Sequence, residues 1–300
     1  MRFIRKPFRF ALLYSVFLAL AVTLVLLDTF VLPSGLAQVQ QSDQSGTAGS
    51  ETSSAGTGTY TDNSYKDDSM SVTLKETDEY DTHIYIVDIQ LSDISQLKTA
   101  LAENTYGRNI KETTSEMAEA HDAILAINGD YYGFRNRGYV LRNGELYRDT
   151  SNGNEDLVVL ADGTFQIVDE DEVSAASLQE EGALQVFSFG PALMSNGKIK
   201  VSENTEVEQA KTSNPRTAIG MISPLHYVII VSDGRSSESQ GLSLYQLAQL
   251  FQKEGCTVAY NLDGGGSTTL WFHGSVVNQP TDGRKEGERE VSDIVYLGYS

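Results

Sequence analysis

The sequence predicts a mixed α/β (α+β) fold: a mixed β-sheet core with a C-terminal parallel βαβ unit and inserted β-hairpins, preceded by an N-terminal transmembrane helix and a disordered tether. Three observations predict it. A basic cluster precedes a long apolar run at the N-terminus, paired strand-like stretches in the middle flank Asn-Gly and Asp-Gly turns, and the last third reads strand, helix, strand.

The segment "MRFIRKPFRFALLYSVFLALAVTLVLLDTF" sets Arg2, Arg5, Lys6 and Arg9 before an apolar run from Phe10 to Leu27. That run approaches the roughly 20 residues that cross a bilayer and exceeds the about 7–15 of a signal-peptide core. Residues 1–37 therefore read as a basic flank and signal-anchor, with the flank cytoplasmic and the remainder outside. Cleavage near the small residues Gly35 and Ala37 is the alternative.

Residues 38–70 carry almost no large aliphatic side chain and read as a Ser/Thr/Gly-rich disordered linker, because they bury too little surface to offset ordering entropy. Residues 71–300 form the body, whose aromatic content (the chain has 15 Tyr and 11 Phe) suffices for a sizeable core. The single Cys256 excludes an intrachain disulfide framework. The net charge is −19; the first 37 residues carry four basic side chains against Asp28, leaving −22 on the rest. Such a body excludes nucleic acid and anionic lipid as partners of its bulk charge, so an anionic ligand must meet local cations.

Within the body, "SVTLKE" and "THIYIVDIQL" read as strands, "NIKETTSEMAEAHDA" as a helix and "AILAIN" as a short buried strand. Hairpins are expected at Asn143-Gly144, Asp162-Gly163 and Asn196-Gly197. In the C-terminal third, "HYVIIVSDGR", the helix "SLYQLAQLFQKEG" and "CTVAYNLDGGG" make the βαβ unit, with Ser243 as cap and Gly255 as stop. Strands so joined end at one sheet edge, where ligands bind. With "AILAIN" in the same sheet, three strands would deliver Asp130, Asp233 and Asp263 to one cleft.

The motifs that could carry chemistry cluster at those strand ends. "NLDGGGSTTLW" places Gly264, Gly265 and Gly266 after Asp263, a cradle for an oxyanion or merely a tight turn. "AINGDYYGFRNRGYVLRNGELYRD" combines Asn128 and Asp130 with Tyr131, Tyr132, Phe134 and four arginines. Those arginines suit phosphate, but Arg137, Arg142 and Arg148 equally fit a solvated loop. "NPRTAIGM" stiffens the approach to Arg216, and "VSDGR" sets Asp233 and Arg235 two apart. A phosphate-binding GxxxxGK[ST], a zinc HExxH and a GxSxG elbow are absent, and His83, His121, His226 and His273 have no ligand spacing.

Together these pieces, with "FSFGPALMSNGK" and "VVNQPTDGRKEGEREVSDIVYL", resemble the phosphodiester glycosidase domain family of the lysosomal uncovering enzyme and its bacterial relatives, from about Asp81 to Tyr299. The resemblance implies an extracytoplasmic hydrolase that cleaves sugar-1-phosphate diesters in envelope polysaccharide or wall polymer. At matching positions it implies Asp263, Asp233, Asp130 and Asn128 as catalytic candidates. It implies Arg216, Arg235, Gly265, Ser267 and Thr268 as substrate or phosphate ligands, to which the reading of the glycine run as a cradle adds Gly264 and Gly266. Many relatives carry Gly in place of Asp130 and two Phe in place of Tyr131 and Tyr132, which weakens the case for Asp130.

Two rival functions fit the same sequence. One is a non-catalytic envelope module that binds glycan, and the other a phosphodiesterase that cuts the P–O bond of teichoic-acid-like polymers. No cofactor is required by any motif; clustered acids would suit calcium or magnesium, although no calcium-loop spacing is present. The expected partners are a glycan or sugar-phosphate polymer and, through the N-terminal helix, a membrane.

Overall fold

In a computed structural model the described residues are 5–36, 58–205, 213–283 and 285–299. Among the described residues the helix Arg5–Phe30 touches the body only near its C-terminal end, and its side chains from Phe10 onward are largely exposed. Its Phe10–Phe30 stretch is long and apolar enough to cross a membrane: 21 residues at about 1.5 Å each match a hydrocarbon layer of about 30 Å.

The body is built on a nine-stranded sheet. Its order is Lys198–Ile199, Ala192–Ser195, Val258–Asn261, Arg216–Ser223, His226–Ser232, Thr82–Leu91, Met70–Glu79, Ser64–Lys66 and Thr59–Thr61. Alternation along its strands sorts two cores. Ile84, Ile86, Val228 and Ile230 face the helix Leu244–Lys253, packing on Leu247, Ala248 and Phe251. Tyr85, Val87, Ile229 and Val231 face the other way, into the main core.

Two five-stranded sheets close that core from the opposite side. One runs Ser275–Val276, Leu270–Phe272, Leu125–Asn128, Asp293–Leu297, Leu97–Leu101; it contributes Leu125, Ile127, Leu270 and Val295. The other runs Glu145–Arg148, Val140–Arg142, Ala183–Phe187, Glu155–Leu160, Phe165–Asp169 and contributes Leu157, Val159 and Phe187. Short helices cover their outer faces: Thr114–Ala120, with a capping box from Thr113 and Glu116, and Ala175–Glu180, capped by Ser174.

The three hairpins form as expected, each between antiparallel strands. Asn143 and Gly144 both take positive φ, as a two-residue turn of this kind demands.

Three expectations are corrected. The strands His226–Ser232 and Val258–Asn261 do not pair: Arg216–Ser223 lies between them, antiparallel to both. No parallel βαβ unit with adjacent strands therefore forms. The two strands still run in the same direction, so Ser232 and Leu262 leave the sheet at one edge, and Arg216 enters there, in register with Ser232. The strand Leu125–Asn128 belongs to a facing sheet instead, paired with Leu270–Phe272 and Asp293–Leu297.

The tether expected over 38–70 does not take in residues 58–70. Residues 37–57 lie outside the described residues, but Thr59–Thr61 and Ser64–Lys66 form a hairpin on the edge of the large sheet. Tyr65 is buried in the main core and Tyr60 packs against it. Two tyrosines thus give an otherwise polar segment enough apolar area to dock.

Candidate active site

The strand Leu125–Asn128 points Asn128 across the gap between sheets. This fully buried side chain donates from Nδ2 to the main-chain carbonyl of Asp263 at 2.7 Å, while its Oδ1 accepts from Thr217 Oγ1 at 2.7 Å and from the Thr269 N–H at 3.3 Å. The Asp263 N–H in turn donates to the Gly129 carbonyl at 3.3 Å. The 128–130 and 261–269 segments are thereby stapled together although they belong to different sheets.

A cleft of ≈ 410 Å³ opens at this staple. Asp130, Tyr131, Phe134, Asp263 and Ser267 line one part of it, and Lys111, Asp282, Arg289, Glu290, Val291 and Ser292 the other. Tyr131 and Phe134 stack at 4.6 Å between centroids, a flat aromatic surface of the kind that sugar rings pack on.

Asp263 lines this space together with Asp130, Asp282 and Glu290. Burial pushes its pKa up to about 6, against a bond from Ser267 and the nearby charge of Arg289. One of its oxygens accepts the Gly264 N–H at 2.9 Å. A carboxyl so poised is ionised at neutral pH yet basic enough to take a proton.

The three glycines are explained by what presses on them. A Cβ on Gly264 would lie 2.8 Å from the Pro215 carbonyl, one on Gly265 2.7 Å from Arg235 Nη2, and one on Gly266 2.5 Å from Arg289 Nη2. Gly265 also has φ +63°, a conformation costly for other residues. The run lets two guanidinium groups approach the main chain beside Asp263. The Gly264 and Gly265 N–H groups are occupied by Asp263 Oδ1 and the Pro215 carbonyl. The oxyanion cradle expected from all three glycines is thus not formed by those two.

Arginines gather behind this turn. Arg235, itself at positive φ, donates to Asn214 Oδ1 at 3.2 Å, and its pKa is lowered by burial and then by Arg289. Arg216 is 3% exposed, donates from Nε to the Leu242 carbonyl at 3.0 Å and has no carboxylate partner among the described residues. Burial, then the charge of Arg235, pushes its pKa down to about 10. Arg289 is held by Asp282, with Nε 3.0 Å from Oδ1.

Three expected residues do other work. The Asp233 carboxylate accepts the Gln279 N–H at 2.8 Å, Asn278 Nδ2 at 3.4 Å and the Tyr85 hydroxyl at 3.3 Å. Burial raises its pKa, and it does not line the cleft; it fixes the start of the segment that carries Asp282. Asp130 lines the cleft, but its carboxylate is committed to the Tyr132 N–H at 2.9 Å, the Ser188 N–H at 3.2 Å and Arg142 Nη2 at 2.9 Å. Thr268 is fully buried, whereas Ser267 beside it reaches Asp263.

Of the arginines read as phosphate ligands or solvated, two are neither. Arg142 is buried between Asp130 and Asp293, 2.9 Å from each. Arg148 donates to the carbonyls of Gly138, Tyr132 and Arg135. Sequence reading assigned no role to Asp293, Ser292, Arg289 or Asp282, although "PTDGRKEGEREVSDIVYL" contains all four. Among the described residues no group of three or more His, Cys, Asp or Glu is placed to hold a metal ion.

Residues 121–297 match the phosphodiester glycosidase family. The chain belongs to that family. It is 35% identical over 202 residues to the SPbeta prophage-derived protein YomE of Bacillus subtilis, covering 65% of this chain and 31% of that one. It is 29% identical over 208 residues to human N-acetylglucosamine-1-phosphodiester alpha-N-acetylglucosaminidase, covering 62% and 39%. The chain thus spans between 31% and 39% of the length of these relatives.

Among solved structures, the catalytic domain of the zebrafish N-acetylglucosamine-1-phosphodiester enzyme superposes with a TM-score of 0.61 at 21% identity, covering 77% of this chain and 83% of that one. A hypothetical protein from Synechocystis gives 0.58 at 13% identity, covering 77% and 62%. Both likenesses establish that this phosphodiester glycosidase family member shares their sheet-rich fold.

Proposed function

We propose that this phosphodiester glycosidase family member hydrolyses sugar-1-phosphate diesters, with Asp263 as base or nucleophile. The carrying observation is the conjunction at the cleft of a carboxyl pushed up to about 6 and an arginine, Arg289, whose charge it feels. The arginine neutralises a phosphate; the carboxylate stabilises positive charge at the anomeric carbon or attacks it. Family membership and the names of the curated relatives support a sugar-1-phosphate diester as the scissile group.

The C1–O bond breaks, its electron pair leaves with the phosphate, and water supplies the oxygen that remains on the sugar. Because the phosphate is already a good leaving group, little acid assistance is needed at the departing oxygen. Tyr131 and Phe134 offer the sugar a stacking surface, and Lys111, paired with Glu290 at 2.8 Å, stands at the rim. Asp233 and Asn128 act as positioning residues rather than reacting groups, and Asp130 sets the loop that carries Tyr131. The basic residues ahead of the apolar helix favour an orientation with the body outside the membrane, where an envelope polysaccharide or wall polymer is the substrate.

The test is incubation of the full chain and Asp263→Asn with a panel of sugar-1-phosphate diesters in ¹⁸O water. Release with label in the sugar, lost in Asp263→Asn, is the expected result. Label in phosphate would establish P–O cleavage instead, and binding without turnover, unaffected by Asp263→Asn, a non-catalytic glycan module.

A further inference from the structure

We propose that the mouth of the cleft is held at the membrane surface by the chain's own N-terminal helix, and that the substrate is a glycosyl phosphodiester whose aglycone is a membrane lipid. The substrate half rests on the hydrolase reading above; the placement half does not.

The helix does not lead straight into a loose tether. Its last turns are bonded to the body: Asn109 Nδ2 donates to the carbonyls of Thr29, at 3.4 Å, and Leu32, at 3.1 Å. Ser34–Gly35 then pairs antiparallel with Gly107–Arg108, Ser34 opposite Arg108 and Gly35 opposite Gly107. The Leu36 N–H donates to the Tyr106 carbonyl at 3.1 Å, and its side chain packs on Tyr106, Tyr132 and Val140. Gly107 is needed for this approach, since a Cβ there would lie 2.7 Å from the Ser34 carbonyl.

The surface that receives the helix exit is also the rim of the cleft. Tyr106 stacks on Tyr132 at 5.3 Å, and Arg108 bonds Asn136 in the loop that carries Tyr131 and Phe134. Lys111, which lines the cleft, follows Asn109 by two residues, at most about 7 Å along an extended chain. The headgroup layer of one leaflet is of similar depth, about 5–8 Å. A helix that leaves the hydrocarbon near Phe30–Leu32 therefore sets the rim among the headgroups. Two side chains there suit that layer: Phe134 is 40% exposed and Arg137 is an exposed cation on a body that otherwise carries strong negative charge, while Lys111 is paired with Glu290 at 2.8 Å.

The experiment uses the full chain reconstituted in phosphatidylcholine/phosphatidylglycerol vesicles. Phe134→Trp is read by quenching with brominated phospholipids, Trp271 being buried and giving a constant background. Quenching is expected in the otherwise native chain and its loss when Ser34→Pro and Asn109→Ala undock the exit. Absence of quenching, quenching that survives undocking, or removal of the helix from the mature chain overturns the placement.

With Phe134 restored, a lipid-linked sugar-1-phosphate diester in the same vesicles is compared with a soluble one. The docked chain is expected to favour the lipid-linked diester by about tenfold or more through effective concentration, and the undocked variant to lose that advantage while keeping its rate on the soluble diester. Equal turnover of both by the docked chain overturns the substrate half. If neither diester is turned over, the substrate half falls with the hydrolase reading, while quenching separately decides the placement.

Discussion

Asn128 holds Asp263 without touching its carboxylate, donating 2.7 Å to the Asp263 main-chain carbonyl while accepting from Thr217 at 2.7 Å. The bond joins two sheets at the point where the reacting group leaves its strand. Asn128→Ala is expected to cost about 1–3 kcal/mol through unsatisfied buried groups. It should lower kcat by up to about 100-fold through misplacement of Asp263, with little change in KM. Asn128→Asp should be worse, because an acceptor then faces the carbonyls of Asp263 and Gly129. Chemical denaturation and steady-state kinetics on the same preparations separate the two effects; a KM effect with kcat intact argues against a positioning role.

Asp263 gives a pH signature. With its pKa pushed up to about 6, the ionised form needed by a base or nucleophile falls away below that pH, so kcat should drop about tenfold per unit on further acidification. Its folded pKa exceeds the unfolded value, so the native state retains a proton that the unfolded chain releases, and stability declines as pH rises from about 4 to 6. Asp263→Asn should therefore lose about 10²–10⁴ in rate while melting higher at pH 8. A flat pH–rate profile across pH 5–7 contradicts the assignment.

Arg216 is a buried cation beside another cation, Arg235, with no carboxylate partner among the described residues. An anion at the turn relieves that repulsion. Inorganic phosphate at 100 times its Kd is expected to stabilise the native chain by about 2.7 kcal/mol. Arg216→Met should abolish most of this effect while changing the phosphate-free stability by no more than about 1 kcal/mol, since one buried charge and one hydrogen bond disappear together. Equal phosphate protection of both proteins in thermal melts places the anion elsewhere.

What was legible in the sequence was what neighbouring residues decide. Alternation in "THIYIVDIQL" sends Ile84 and Ile86 to one core and Tyr85 and Val87 to the other, and Asn143-Gly144 closes its hairpin by backbone conformation alone. The insertion of Arg216–Ser223 between His226–Ser232 and Val258–Asn261 was not legible, because periodicity does not reveal which strands pair across the fold. The shared exit of Ser232 and Leu262 survived that error, since two antiparallel pairings leave the outer strands parallel, but the meeting of Asp233 with Asp263 in one cleft did not. In the site, Asp263 and Asn128 announced themselves at strand ends. Asp293 did not: it opens the last strand, Asp293–Leu297, and looks like sheet filler until Arg142 is seen beside it.

That buried group supplies the last expectation. Arg142 Nη2 lies 2.9 Å from both Asp130 Oδ2 and Asp293 Oδ2, and its Nε 2.9 Å from Asp293 Oδ2, with all three side chains nearly inaccessible. Burial pushes the Asp293 carboxyl up even with the arginine opposing. Arg142→Met leaves two carboxylates in a dry site and should cost about 3–5 kcal/mol. Because a raised folded pKa removes stability as pH rises, the loss should be larger at pH 8 than at pH 5. Adding Asp130→Asn and Asp293→Asn removes the uncompensated charge, so the triple variant should recover most of the loss and flatten its pH dependence. Denaturation midpoints of the single, double and triple variants at both pH values measure the coupling; if the three substitutions act additively, the triad is not the unit that supports this side of the cleft.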